Sequence, residues 1–324
     1  MTASPGVLVT GAAGFIGSHV CEALVARGER VTGVDAFDPF YPRAVKERNL
    51  AGLRGAALFR LVEANVARDP IPLDDVAVIV HLAAKAGVRP SWDDPAGYLE
   101  ANVTATARLL DAAGRAGVTR VVLASSSSVY GDDTPAPCRE DAPALEPVSP
   151  YGASKRAAEL VALTFARRYG LRVAVLRYFT VYGPRQRPDL AIHKFTDLVA
   201  HGGAIPVYGD GSTSRDYTYI SDAVAATLAA VAWTERASPG ACEVFNVGGG
   251  APVRLDRLIA LLADAWQGRE VRIERQPEQP GDVRATAADL TRAERVLGYR
   301  PRVPIAEGLR HFVRWYEETY GRER

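Results

Sequence analysis

Lysine is nearly missing from this chain, with 4 residues in 324 against 35 arginines. Methionine occurs once and cysteine three times. Cys21, Cys138 and Cys242 are odd in number, far apart and outside any CxxC or Cys/His ligand spacing. That pattern argues against a disulfide framework and against a metal centre, and leaves buried or incidental thiols. The net charge is only +1, so no broad field draws the chain to nucleic acid or to a membrane surface, and any anion site must be local. No apolar stretch approaches the ~20 residues of a membrane span. The start, MTASPGVLVTG, enters a strand pattern without a basic segment or a cleavage site, so a cytoplasmic location is expected. The arginine bias fits a GC-rich genome or a hot habitat, and composition does not separate the two.

What is present is an ordinary globular composition, 48% hydrophobic and 24% charged. At 324 residues the chain exceeds the usual single-core size, which predicts one large domain or a major and a minor lobe, two lobes making room for a cleft. Short Val/Ile/Leu runs at Val7–Thr10, Arg30–Val34, Ala57–Val62, Val76–His81, Arg120–Ala124 and Arg172–Arg177 lack polar alternation, as strands buried on both faces do. Helical patterns near 15–27, 96–116 and 152–169 lie between them at the spacing of βαβ crossovers. The fold class is therefore α/β, a Rossmann-type doubly wound parallel sheet. After residue 180, Pro, Gly and Arg crowd into YGPRQRPD and YGDGSTSRD, loops that build a site rather than a core. Ser221–Trp233 and Glu243–Val247 read as one more helix and strand returning to the sheet. The expected division is a sheet domain over 1–180 and 216–248, with a smaller, discontinuous α/β substrate-binding lobe over 181–215 and 249–324.

The run VLVTGAAGFIGSHV places Gly11, Gly14 and Gly17 at a strand-to-helix junction, where backbone N–H groups and a helix N-terminus meet a pyrophosphate. Asp35 ends the second strand, placed to accept from both ribose hydroxyls and to repel a 2′-phosphate, so NAD is expected rather than NADP. Asn65 follows the third strand and serves either the adenine amino group or a turn.

Tyr151-Gly-Ala-Ser-Lys155 puts a phenol and an ammonium four residues apart on one helix face. A phenol ionises near pH ~10, and a lysine cation beside a positive nicotinamide ring lowers that value toward one useful to a base. The run ASSSSVYG at 124–131 ends the fifth strand at the carboxyl edge of the sheet, where ligands bind in open α/β folds, and Ser126 is the candidate partner for a substrate hydroxyl. Taken singly, YxxxK also occurs on solvated helices, and serine clusters form polar turns.

Together, Gly11, Gly14 and Gly17, HLAA at 81–84, Asn102, Ser126, Tyr151, Lys155, RYFTVYGPRQRPD at 177–189 and SRDYTYISD at 214–222 span the chain. Over that length it resembles extended short-chain dehydrogenases acting on nucleotide sugars. DAFDPFYPRAVKERNL at 35–50, AGVRPSW at 86–92, Thr180, RPDLAIHKF at 187–195 and QPGDVRAT at 279–286 make it most similar to UDP-glucuronate 4-epimerases. The resemblance implies NAD contacts at Asn102 and Tyr178, and also at Phe15, Ile16, Val66, Leu82, Ala83 and Ala84. It implies that Arg89, Arg187 and Arg215 face the negative groups of a UDP-sugar, joined by Tyr208, with Asp282 near the uridine ribose. Ser127, Ser128 and Thr180 would surround the sugar C6 substituent, and Thr286 would be the small gate beside C2. Lys85 stands where the subgroup commonly has Gln, and Asn65 where it commonly has Asp.

The implied reaction is C4 epimerisation through a 4-keto sugar, with UDP-glucuronate as the expected substrate. UDP-glucose or UDP-N-acetylglucosamine epimerisation is the alternative, and decarboxylation of UDP-glucuronate a third. A dehydratase is disfavoured because Ser127-Ser128 replaces the Asp-Glu pair of related dehydratases. A turnover-free NAD-bound scaffold would not need Ser126, Tyr151 and Lys155 together. Apolar residues on more than one face of the 96–116 and 152–169 segments, including Leu99, Leu109, Leu110, Leu160, Leu163 and Phe165, predict a homodimer through that helix pair.

Overall fold

The computed structural model describes residues 6–142, 146–277 and 285–321. The apolar runs are strands β1 Gly6–Thr10, β2 Val31–Asp35, β3 Phe59–Glu63, β4 Val76–His81, β5 Arg120–Ser126 and β6 Arg172–Tyr178. With them come helices α1 Phe15–Ala26, α2 Arg43–Asn49, α3 Pro90–Asp93, α4 Pro95–Leu99, a π turn at Glu100–Thr104, α5 Ala105–Arg115 and α6 Pro150–Tyr169. Beyond residue 180 come β7 Thr180–Tyr182, α7 Ala191–Ala200, β8 Ala204–Tyr208, β9 Ser214–Tyr219, α8 Ile220–Arg236, β10 Cys242–Val247 and β11 Pro252–Arg254. The last elements are α9 Leu255–Ala265, β12 Arg272–Gln276, α10 Thr291–Leu297 and α11 Ile305–Tyr320.

Seven strands form one sheet in the order β10-β6-β5-β4-β1-β2-β3, every neighbouring pair parallel. Side chains alternate between its faces, which is why both faces are apolar. Val7, Val9, Val78, Val80 and Val122 pack toward α1 and α8, while Leu8, Ile79, Val121 and Leu123 pack toward α5 and α6. The strand order reverses between β1 and β4, so the crevice at their carboxyl ends is where such a sheet receives ligands.

Two expectations change. The 96–116 pattern is three pieces, because Pro95 starts a helix afresh at the Asp94 cap and the π turn separates that short helix from α5. The second concerns the region around the loops after residue 180, not the loops themselves: it contributes to the core through Ile205, Val207, Leu258, Leu262, Phe312 and Tyr316, buried and continuous with the core under the sheet. It also carries a three-stranded sheet β11-β9-β7 and a two-stranded sheet β12-β8. Short strands edged by Pro, Gly and Arg give too little periodicity to be seen in sequence. Among the described residues no helix is long and apolar enough to cross a membrane.

Candidate active site

A cavity of about 560 Å³ opens along the carboxyl ends of the strands, within the range of cofactor and ligand sites. At one end is the first βα turn. Gly11 has φ +72°, and a Cβ there would fall 2.8 Å from the Ala83 amide nitrogen; at Gly17 a Cβ would fall 2.0 Å from the Gly11 carbonyl oxygen. Only glycine permits this approach of turn, helix and neighbouring loop. Gly14, Phe15 and Ile16 line the cavity with them, so the α1 N-terminus faces it. Val66, Leu82, Ala83 and Ala84 form the adjoining wall.

Asp35 also lines this end, but its carboxylate is already engaged. It accepts from the Ala13 N–H at 3.0 Å and the Phe37 N–H at 2.8 Å, and lies 3.4 Å from the Lys46 ammonium. With roughly four acceptor positions on a carboxylate, it cannot take two further hydroxyls as freely as its sequence position promised. Lys46 is the functional candidate that sequence reasoning missed. It is buried on the cavity wall beneath the Tyr41 ring, 5.0 Å from its centroid. Lysine scarcity alone did not single it out; the fold shows that of four lysines, Lys46, Lys85 and Lys155 all line this cavity. Asn65 lines it too, but its Oδ1 accepts from the Ala67 N–H at 2.9 Å, so its side chain forms the turn, the second of its two expected roles.

Asn102 is not among the described lining residues. The π turn delivers its amide inward, where Oδ1 accepts from the Lys85 N–H at 2.8 Å and Nδ2 donates to the Lys85 carbonyl at 3.0 Å and Ser154 Oγ at 2.8 Å. It holds the loop that lines the cavity rather than the cavity's contents. Tyr178 does line it, with its hydroxyl 2.6 Å from Thr227 Oγ1.

The middle of the cavity carries Tyr151, Lys155 and Ser126. Helix α6 starts at Pro150 because Ser149 caps it, accepting from the Gly152 N–H at 3.1 Å. That start points Tyr151 into the cavity and buries Lys155, whose Nζ donates to the Ala124 carbonyl at 2.9 Å, two residues before Ser126. Burial pushes the Lys155 ammonium down to about 8, against the raising effect of Glu159. For Tyr151 the structure corrects the sequence argument. Burial raises the phenol above its ordinary value, and the opposing influences are a hydrogen bond with Ser126 and the charge of Arg187. The protein alone does not lower it, because desolvation penalises the phenolate more than these groups favour it.

Glu159, one turn beyond Lys155, forms a bidentate pair with Arg177 at 2.9 and 2.8 Å, accepts from Ser125 Oγ at 2.6 Å and pairs with Arg156 at 2.9 Å. Burial alone would raise its carboxyl, but the bonds and charge of Arg177, with Ser125 and Arg156, hold it below the usual range.

Toward the other lobe, Ser127, Ser128, Thr180, Arg187, Arg215 and Thr286 line the cavity. Ser126 Oγ accepts from the Ser128 N–H at 3.1 Å, fixing the serine turn. Arg187 is held by Asp189 through bonds of 2.9 and 2.6 Å and donates to the Ala86 carbonyl at 3.2 Å. Tyr98 donates to that same carbonyl, and its ring meets the edge of Tyr151 at 6.1 Å. Arg89 and Tyr208 are not among the lining residues; the guanidinium sits over the ring at 5.9 Å. Asp282 lies outside the described residues.

The tight glycine turn, the helix terminus and the carboxylate at the end of β2 fit a dinucleotide, and the tyrosine and lysine fit proton transfer beside it. The comparisons with known proteins agree with this geometry. Residues 7–248 match the model of the NAD dependent epimerase/dehydratase family. The chain is 37% identical to a UDP-glucuronate 4-epimerase of Thermodesulfobacterium geofontis, over 96% of either chain. It superposes with a TM-score of 0.91 on the UDP-glucuronic acid 4-epimerase of Bacillus cereus in complex with UDP-glucuronic acid and NAD, at 34% identity, covering 97% of this chain and 100% of that one. A UDP-glucose 4-epimerase of Thermotoga maritima with UDP-glucose gives 0.85 at 33% identity, covering 97% and 99%. With sequence and architecture matched from end to end, the chain belongs to the NAD dependent epimerase/dehydratase family.

Proposed function

We propose that this protein inverts C4 of a UDP-sugar with NAD as its resident cofactor, interconverting UDP-glucuronate and UDP-galacturonate. The observation that carries the reading is Tyr151, Ser126 and Lys155 midway along a cavity that has a dinucleotide turn at one end and two arginines at the other. NAD would supply the chemistry of taking the C4 hydrogen and giving it back. The chain's own residues do the rest. Tyr151 removes the proton of the 4-OH and later returns it, Ser126 orients that hydroxyl through its bond to Tyr151, and Lys155 holds positive charge beneath them. Arg187 and Arg215 grip negative groups of the substrate, so the keto sugar turns about its diphosphate linkage without leaving.

A 4-keto uronate is a β-keto acid and loses carbon dioxide readily. Hydroxyl donors from Ser127, Ser128 and Thr180 fix the carboxylate so that the C5–C6 bond stays out of line with the carbonyl π system. A neutral-sugar epimerase is the second reading, favoured by the small Thr286, whose hydroxyl accepts from the Asp216 N–H at 3.1 Å and leaves space beside it. Purified protein given UDP-glucuronate, UDP-glucose and UDP-N-acetylglucosamine separately, with C4 followed by NMR, decides between them. Inversion of the glucuronate without carbon dioxide is the expected result. Inversion of only the other sugars moves the activity to neutral substrates, carbon dioxide makes it a decarboxylase, and no change in any sugar sinks the proposal.

In this reading residues 1–180 and 216–248 hold NAD, residues 181–215 and 249–324 hold the UDP-sugar, and the protein works in the cytoplasm. It works as an isologous homodimer through α4–α5 and α6. Support for the dimer comes from Leu99 and Leu160, 49% and 48% exposed on those helices, with Trp92 close by in sequence at 65%. Leu109 and Leu110, counted toward that face from sequence, instead pack under the sheet. Sedimentation at micromolar concentration should give twice the chain mass; a monomer throughout would remove the dimer.

A further inference from the structure

His81, the last residue of β4, is fully enclosed between β1 and α5, and the mechanism above does not use it. Its Nδ1 lies 2.6 Å from Thr10 Oγ1 and its Nε2 lies 3.2 Å from Thr106 Oγ1. The direction of each bond is set by its neighbours. Thr106 donates its one hydroxyl proton to the Asn102 carbonyl at 2.6 Å, so its oxygen can only accept from His81, and Nε2 must carry a proton. A doubly protonated ring is excluded by burial and by the Lys155 charge facing it, which together hold the imidazole down at about 3. Nδ1 is therefore an acceptor, and Thr10 donates to it. Thr10 Oγ1 in turn accepts from the Ala83 N–H at 3.2 Å.

The result is one directed chain from the Ala83 amide through Thr10, His81 and Thr106 to the Asn102 carbonyl. Asn102 continues it in two directions. Its side-chain amide clasps the Lys85 backbone, and it donates to Ser154, which donates to the Tyr151 carbonyl at 2.7 Å. Ala83 and Lys85 line the cavity on the cofactor side, and Tyr151 is the proposed base.

We propose that His81 is a positioning residue: a neutral imidazole with its proton on Nε2, it joins the glycine turn to the π turn and sets the cofactor-side wall at a fixed distance from the catalytic helix. The role rests on the reading that NAD lies along that wall. The tautomer does not, and this separates the two tests.

In protein labelled with 15N-histidine, the five rings are few enough to assign, and His81 is the one absent from the spectrum of His81→Phe, or of His81→Asn should the first variant not accumulate. A proton on Nε2 and no titration between about pH 5 and pH 9 are expected. A proton on Nδ1, or titration in that range, overturns the chain of bonds. Thr106→Val then removes only the hydroxyl between His81 and Asn102. NAD affinity should weaken about tenfold, the scale of one buried group left without its partner, while the KM for the UDP-sugar stays within about twofold. Unchanged NAD affinity, or equal weakening of both, overturns the positioning role. A parent protein that binds no NAD, with the tautomer as expected, overturns the functional reading and that role with it, and leaves the bond pattern standing.

Discussion

Tyr151→Phe should lower the rate of C4 inversion by about a thousandfold, within the ~10²–10⁴ range of a positioned general base, while NAD and the UDP-sugar still bind within a few-fold of the parent. The phenylalanine ring keeps the edge contact with Tyr98 and removes only the oxygen that bonds Ser126. The large effect is expected because no other described group is arranged to replace it. Lys155 is committed to the Ala124 carbonyl, and Arg187 is paired with Asp189. Since burial keeps the phenol above its ordinary pKa in the protein alone, the shift toward phenolate has to come when cofactor and substrate fill the cavity. Single-turnover kinetics would separate the loss of chemistry from any loss of binding. A variant that inverts C4 at the parent's rate would leave the proposed reaction without its base.

The second large effect is on stability. Glu159→Met should destabilise the fold by about 3–5 kcal/mol, because it strands Arg177, 1% exposed, without a counter-charge. The melting temperature should fall by about 5 °C. Glu159→Met combined with Arg177→Met should recover most of that loss, since replacing both charges by apolar side chains removes the unpaired ion. It will not recover all of it: Ser125 loses its acceptor, and Tyr130 loses the guanidinium 4.8 Å from its ring centroid. The pH dependence gives an independent check. Glu159 is held below the ordinary carboxylate value, so its stabilisation is fully present above about pH 5 and disappears as the pH falls through that depressed value. The single variant should flatten this acid limb. If it melts where the parent melts, the buried pair is not what ties α6 to β6.

Much of this was legible because parallel strands covered on both faces must be apolar throughout, so the first six announced themselves within two residues of their ends, although β3, at the sheet edge, leaves Arg60, Leu61 and Glu63 exposed instead of covered on both faces. The glycine turn and the Tyr151–Lys155 spacing were legible because their chemistry depends on local geometry. What the sequence hid depends on partners distant in the chain or on backbone irregularity. A π turn inserts one residue and shifts the phase of the side chains that follow, which a pattern read with one uniform helical period does not register, so nothing in the 96–116 pattern indicated that Asn102 points at the Lys85 backbone. Arg89 and Arg187 looked alike as loop guanidiniums, yet one lies against Tyr208 and the other lines the cavity with Asp189 as its clamp. Lys46 sits on a seven-residue helix that pattern reading passes over, and only its approach to Asp35 reveals it.

Three of the four lysines face one cavity, and this has a practical side. On most enzymes, reagents that seek primary amines are diluted over a surface covered with them, and the working centre escapes. Here Lys194 is the exposed one and lies outside that cavity, while Lys46 and Lys155 are buried, so coupling to a resin or a dye would concentrate on Lys194, and only a reagent small enough to enter the cavity would reach the working centre.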